Sequence, residues 1–156
     1  MGGAFLVEFS SAFEAVRCGC GLQSVLHEHN ERRSEGEKTV LRIGVHLGDF
    51  VHSGGDVLGD AVNIASRVEP LATPGAISIA EHVYEQVKNR LGFPLVSVGE
   101  QELRNIHERV EIYRVILPWE EAHSSEPEAL DRHRLAVLPL ANISLDPKGT
   151  SILQTA

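Results

Sequence analysis

The sequence predicts an α+β domain, a single sheet with helices packed on it, and three observations carry that prediction. Stretches of period-two hydrophobic patterning alternate with stretches of helical spacing. Some strands also follow one another directly, as adjacent pairs, which a purely alternating α/β chain does not require. The 156 residues are about one domain's worth of chain, and a hydrophobic fraction of 42% suffices for one core.

Ala4 to Phe9 (AFLVEF) reads as a strand, entered in mid-element because no turn precedes it. Ser11 with Glu14 forms a capping-box pattern, and Phe13, Val16, Cys20, Gln23 and Leu26 follow at helical spacing up to a charged loop around 30–38. Gly19 and Gly21 inside this helix each cost about 1 kcal/mol relative to alanine, so packing must hold it. Leu41, Ile43, Val45 and Leu47 alternate with Arg42, Gly44, His46 and Gly48, the pattern of a half-buried strand. Phe50 to Leu58 reads as the far side of a hairpin turning at Gly48-Asp49 or at Ser53-Gly54-Gly55. Asp60 is placed to cap a helix to about Pro70; a Pro74-Gly75 turn, a strand over 76–80 and a helix carrying Val83, Val87 and Leu91 follow. Strands near 93–98 and 110–117 close the unit.

Beyond Leu117 the composition shifts. Pro118, Glu120, Glu121, Glu126, Pro127, Glu128 and Asp131 mark residues 118–133 as an acidic linker, and Arg134 to Leu140 (RLAVLPL) begins a new apolar strand. Residues 134–156 are expected to be the stub of a following domain, too short to fold alone.

Charge and composition exclude several function classes. Fourteen Lys and Arg against 22 Asp and Glu give a net charge of -8, so sequence-independent binding to nucleic acid or an anionic membrane has no electrostatic support. No apolar run reaches the roughly 18 residues that span a bilayer, and the start lacks the basic character of a secretory signal, which leaves the cytoplasm as the expected compartment. Cys18 and Cys20 diverge by roughly 200° on a helix, which suits neither a mutual disulfide nor a shared metal.

The chemistry-bearing stretch is Asp56-Val57-Leu58-Gly59-Asp60-Ala61-Val62-Asn63-Ile64-Ala65-Ser66-Arg67. Helical spacing puts Ala61, Ile64, Ala65 and Val68 on an apolar face and Asp60, Asn63 and Arg67 on another. An amide and a guanidinium one turn apart can orient a sugar and neutralise a phosphate. The same spacing equally describes an exposed helix with Asp60 as its cap, Asn63 in solvent and Arg67 on a surface carboxylate, and Asp56 alone could be an ordinary turn aspartate.

The string DVLGDAVNIASRVEPLATPGAISIA, continued through Val83-Tyr84-Glu85-Gln86-Val87, Leu103-Arg104-Asn105-Ile106 and Ile112-Tyr113-Arg114-Val115, and backwards through Arg42 to Asp49 and Phe5 to Phe9, resembles the class III nucleotidyl cyclase catalytic domain over residues 1–117. The resemblance implies a ferredoxin-like cyclase homology fold, conversion of ATP to cyclic AMP and pyrophosphate in intracellular signalling, and sites at the interface of a homodimer or a heterodimer with another cyclase chain. Residue by residue it places Asp56 at the base-reading position, Asn63 at the ribose-orienting one and Arg67 at the one that stabilises the α-phosphate. A carboxylate accepts the amino hydrogen of adenine and opposes the carbonyl oxygen of guanine, so Asp56 favours ATP.

The resemblance also implies Mg²⁺ or Mn²⁺ held by two aspartates, and here the sequence departs from it. The family's first strand, bearing one aspartate, and its base-reading lysine would lie before Met1; the second aspartate matches Gly3. No metal site is therefore expected in this chain, since His46 with His52, or His27 with His29, lack a third partner at a suitable spacing, and the eight histidines are expected to be mostly solvated. Without the metals the chain alone is expected to be inactive, working with a complementary cyclase chain or as a silent nucleotide-binding or dimerisation module. The missing strand is expected to leave an unpaired edge in the sheet. Arg134 to Ser144 resembles the opening of the TolB-like domain that follows the cyclase domain in some bacterial multidomain cyclases.

Overall fold

The computed structural model describes residues 3–104, 106–120, 134–139 and 152–155. In chain order the elements are β1 (Ala4–Phe9), α1 (Ala12–Glu31), β2 (Arg42–Val45), β3 (Val51–Ser53), β4 (Asp56–Leu58), α2 (Asp60–Val68), β5 (Ile77–Ala80), α3 (Glu81–Val87), β6 (Leu95–Glu102), β7 (Arg109–Val115), β8 (Arg134–Pro139) and β9 (Ile152–Thr155). Seven strands form one mixed sheet in the order β6-β7-β5-β2-β8-β1-β9, and β3 and β4 form a separate hairpin.

Alternation along the central strands sorts the helices onto two faces. Ile43 and Val45 of β2 and Ile77 and Ile79 of β5 are fully buried and point to one face, where they meet Ala12, Ala15, Val16 and Cys20 of α1 and Val83 and Val87 of α3. The opposite face carries α2 and the short 3-10 turn Glu69–Leu71 that extends it, where Val68 packs with Ala80, Leu103 and Ile112. Gly44 sits on this second face because nothing larger fits: a Cβ there would stand 2.3 Å from the backbone nitrogen of Glu69. The strand and the end of α2 thus meet backbone to backbone.

Helix α1 starts where the sequence places it. The Ser11 hydroxyl accepts the Glu14 N–H at 3.1 Å, while the Glu14 carboxylate accepts the Ser10 hydroxyl at 2.9 Å, so half of the capping box forms and Ser10 replaces the other half. Packing holds the glycine-containing centre, as expected: Gly19 is buried against Ile43 and Ile77. The buried Gln23 amide donates to the carbonyls of Leu41 at 2.9 Å and Ala76 at 3.3 Å, tying α1 to the entries of β2 and β5. Leu91 lies past the end of α3, in the turn that follows it, and is buried there rather than from the helix itself.

The sheet departs from expectation between β1 and β2. These strands are not neighbours, and the position between them is taken by β8, which runs parallel to both. The outer edge of β1 pairs in turn with β9, antiparallel. The open edge expected there is bridged by strands from the C-terminal segment, because backbone donors and acceptors on two facing edges are costly to leave unmade. Most of the linker, residues 121–133, lies outside the described residues, as does the remainder of the segment after Pro139 apart from β9.

Candidate active site

The hairpin turns at Gly54 and Gly55, with φ of 60° and 88°, which resolves its two possible turn positions in favour of the later one. Both central residues need positive φ, the arrangement that matches the twist of a two-residue hairpin loop and that glycine adopts at no steric cost. Ser53 therefore pairs with Asp56, which opens β4. Leu58 leads through Gly59 into α2. Gly59 has a φ of 152°, and a Cβ on it would lie 3.0 Å from the Asp49 carbonyl oxygen, so the hairpin closes onto the helix start only without a side chain at this position.

Gly59, not Asp60, is the residue that caps α2, and it has no side chain to bond the first N–H groups of the helix. Asp60 is the first residue inside the helix, where its carboxylate favours the positive end of the helix dipole. Ala61 and Ala65 are buried with Leu6, Phe50 and Val62 around them, so the apolar side of α2 rests on β1 and on Phe50, the residue just before β3. Asn63 on the other side is exposed, and Arg67, one turn on, is half-buried. The Asn63 carbonyl accepts the Ser66 hydroxyl at 2.7 Å, while its amide makes no bond to a described residue. No carboxylate among the described residues stands within ion-pair distance of the Arg67 guanidinium, so the surface-carboxylate reading of Arg67 finds no partner there. Asn63 and Arg67 thus share the outward face of one short helix, with Asp56 at the start of the strand that leads into it.

A further contact fixes the hairpin against the sheet. Glu8, on the α2 side of β1, reaches His52 of β3, Oε2 to Nε2 at 3.1 Å, and the Phe50 ring meets the His52 ring edge-on with centroids 5.0 Å apart. Glu8 stands out as the single charge in the strand AFLVEF, but no local spacing relates it to His52.

His46 is buried, an exception among the described histidines, which are otherwise exposed or half-buried, and its Nδ1 has no hydrogen-bond partner among the described residues. Burial, with the nearby His82 adding to it, pushes its pKa down to about 4, so the ring is neutral at physiological pH. His27 stacks flat on Trp119 with centroids 4.4 Å apart and stands 3.8 Å from Glu31, while His29 is exposed. These histidines lie in separate environments, and among the described residues no group of three His, Cys, Asp or Glu side chains converges to hold a metal. Gly3, directly before β1, offers no donor side chain. The residues present do not fit the divalent pair that the resemblance implies, and no step through a metal is assigned to them.

Comparison with known proteins decides the family. The profile of the adenylate and guanylate cyclase catalytic domain matches residues 6–116. The chain belongs to that family. It is 37% identical to "Putative adenylate cyclase 3" of Rhizobium meliloti (strain 1021) over 94% of this chain and 26% of that protein. A pH-sensitive adenylate cyclase of Mycobacterium tuberculosis is 40% identical over 48% of this chain and 20% of that one. The crystal structure of an adenylate/guanylate cyclase/hydrolase from Silicibacter pomeroyi superposes with a TM-score of 0.65 at 29% identity, covering 70% of this chain and 65% of the other. The fold is the α+β, ferredoxin-like cyclase homology domain. This cyclase-family chain spans about a quarter of the Rhizobium relative, and no described helix is long and apolar enough to cross a membrane.

Proposed function

We propose that this chain supplies the nucleotide-steadying half of a composite adenylate cyclase site and takes its metal-holding carboxylates from a complementary cyclase chain in a heterodimer. The observation that carries the reading is the outward face of α2: an uncommitted Asn63 amide one turn before a half-buried Arg67 without a counter-ion among the described residues. A guanidinium with no counter-ion among the described residues is available to pair with an arriving phosphate, whose oxygens suit its fork geometry.

In the reaction the 3′-oxygen of ATP bonds to the α-phosphorus, the bond from that phosphorus to the bridging oxygen breaks, and the electron pair leaves with pyrophosphate while the 3′-hydroxyl loses its proton. Asn63 orients the ribose so that this oxygen faces the phosphorus. Arg67 meets the charge that spreads over the α-phosphate oxygens, the step at which an arginine contributes most in phosphoryl transfer. Asp56 accepts the adenine amino group and disfavours guanine. Mg²⁺ or Mn²⁺, bound by the partner chain, would supply nucleophile activation. A homodimer does not complete the site, because both copies carry Gly3.

A second reading, a silent nucleotide-binding or dimerisation module, is favoured by the lack of metal donors among the described residues. The two separate on one assay: the chain is mixed with a complete cyclase whose own catalytic arginine has been replaced. Cyclic AMP that depends on Arg67 supports the composite site, and nucleotide binding without turnover supports the module.

We propose that the chain acts in the cytoplasm, where ATP is available, and that it divides into a cyclase region (1–117), a linker (118–133) and, by the resemblance of Arg134 to Ser144 alone, the opening of a TolB-like domain (134–156). The 94% coverage by the Rhizobium relative supports continued homology past residue 117, since the cyclase region alone is too short to supply it.

A further inference from the structure

The hairpin that carries Asp56 stands outside the seven-stranded sheet, and among the described residues β3 pairs with β4 alone. Its ladder sets Ser53 opposite Asp56 and His52 opposite Val57, so a shift of His52 carries Asp56 with it. Apolar packing holds little of the hairpin, since Val51 and Leu58, a cross-strand pair, are exposed at 66% and 56%. Its base is fixed by Phe50 against Ala61 and Ala65 and by the tight passage through Gly59. Further out, the one ion pair or hydrogen bond from its side chains to the sheet, among the described residues, joins His52 to Glu8 of β1.

Glu8 is the end of this contact that water cannot easily replace. Its side chain is 15% exposed against 43% for His52, and its Oε2 has no other partner among the described residues. A buried carboxylate oxygen is costly to leave without a donor, which favours the imidazole N–H against the sheet. Leu6, two residues earlier and so on the same side of β1, packs against Ala61 and Ala65 of α2. One side of one strand thus supports both parts of the site: Leu6 lies against the helix of Asn63 and Arg67, and Glu8 holds the hairpin of Asp56.

We propose that Glu8 and His52 are positioning residues for base recognition: the pair sets the placement of Asp56 relative to Asn63 and Arg67, and through it the preference for adenine over guanine. This rests on the assignment of Asp56 as the base reader under the proposed function. Neither residue touches the nucleotide; both act through the position of β4. A misplacement of about 1 Å in a positioned group can cost about a hundredfold in rate. A chain that has merely lost stability turns over ATP and GTP more slowly by the same factor, whereas a displaced Asp56 changes their ratio.

The test reads that ratio. In the mixture with the arginine-disabled cyclase, kcat/KM is measured for ATP and for GTP with the unmodified chain and with Asp56→Asn, Glu8→Leu, His52→Val and His52→Gln. If the mixture shows no turnover, the ratio of ATP and GTP dissociation constants of the chain alone, by equilibrium dialysis, takes its place. Asp56→Asn is expected to abolish the preference for ATP, because an amide pairs with either base. Glu8→Leu and His52→Val are expected to reduce it by about tenfold or more, while His52→Gln, which keeps a donor for Glu8, retains most of it. Equal use of both nucleotides by the unmodified chain, or an unchanged ratio in Asp56→Asn, would remove the base-reading assignment and this inference with it. Loss of the preference in Asp56→Asn but not in Glu8→Leu or His52→Val would overturn this inference alone. Equal loss in His52→Gln and His52→Val would also overturn it, by assigning the effect to the shape of the ring and not to its bond with Glu8. His52 is partly open to solvent, so its two variants decide the outcome if Glu8→Leu does not fold.

Discussion

Glu8 of β1 and His52 of β3 stand 3.1 Å apart, and this pair joins the central sheet to the hairpin that delivers Asp56 and α2. Glu8 is largely buried while His52 remains partly open to solvent, so the contact contributes more to the position of the hairpin than to global stability. Partly exposed pairs of this kind contribute about 1 kcal/mol or less. Glu8→Gln is accordingly expected to lower the melting temperature by only a few degrees while raising hydrogen exchange across 51–58 selectively. A uniform rise across the sheet would show that the pair supports the core instead.

The glycines of the two faces should respond in opposite directions. At Gly44 a Cβ would stand 2.3 Å from the Glu69 nitrogen and 2.6 Å from its Cα, both backbone atoms that cannot rotate away. Gly44→Ala is expected to destabilise by about 3 kcal/mol or more, the upper end of overpacking penalties. Gly21, exposed on α1 with nothing within 4 Å of its Cβ position, is expected to gain about 1 kcal/mol on substitution by alanine. Thermal or urea unfolding of the two variants checks both signs.

His46 gives the domain an acid-side weakness. Its folded pKa of about 4 lies below the ordinary value of 6.5, so the folded state binds this proton less readily than the unfolded state does. Stability from the neutral ring is therefore complete above pH 6.5 and is lost as pH falls from 6.5 through about 4. The total loss is about 3 kcal/mol. Urea unfolding between pH 7 and pH 4 should show this slope, and His46→Asn should flatten it. An unchanged slope in the variant would assign the acid sensitivity to other groups.

The two cysteines should be distinguishable by reaction. Cys18 is exposed, whereas Cys20 is buried against the core and its thiol is pushed up to about 11. Since the thiolate is the reactive form, a thiol reagent at neutral pH is expected to modify one cysteine rapidly in the folded chain and the second only on unfolding. Mass spectrometry of the modified peptide identifies which.

How far the sequence disclosed this molecule depends on the range of the interaction in question. Ser11 and Glu14 announced the start of α1 because a cap is settled within four residues, and the alternation from Leu41 to Leu47 announced β2 because burial on one face imposes period two. Ala61, Ala65 and Val68 were legible as the buried side of α2 for the same reason, which placed Asn63 and Arg67 outward. The cap itself was misassigned, because the close approach of Asp49 and Phe50 that demands Gly59 is tertiary. The burial of His46 was hidden in an alternation where its position looked solvent-facing; the helix α2, lying on that face, covers it. The pairing of Arg134–Pro139 between β1 and β2 left no local trace at all, since strand order is set by contacts more than a hundred residues apart in some pairs and only the apolar run itself was visible.

The central claim is that this chain presents Asn63 and Arg67 to a nucleotide whose metals another chain must hold. The most direct measurement is cyclic AMP formation from ATP with Mn²⁺ by the purified chain alone, and by the chain mixed with a complete cyclase disabled at its own arginine. The account predicts background turnover from the chain alone and restored turnover in the mixture, abolished by Arg67→Ala and reduced by Asn63→Ala. Cyclic AMP above background from the lone chain, lost in Arg67→Ala, would contradict it.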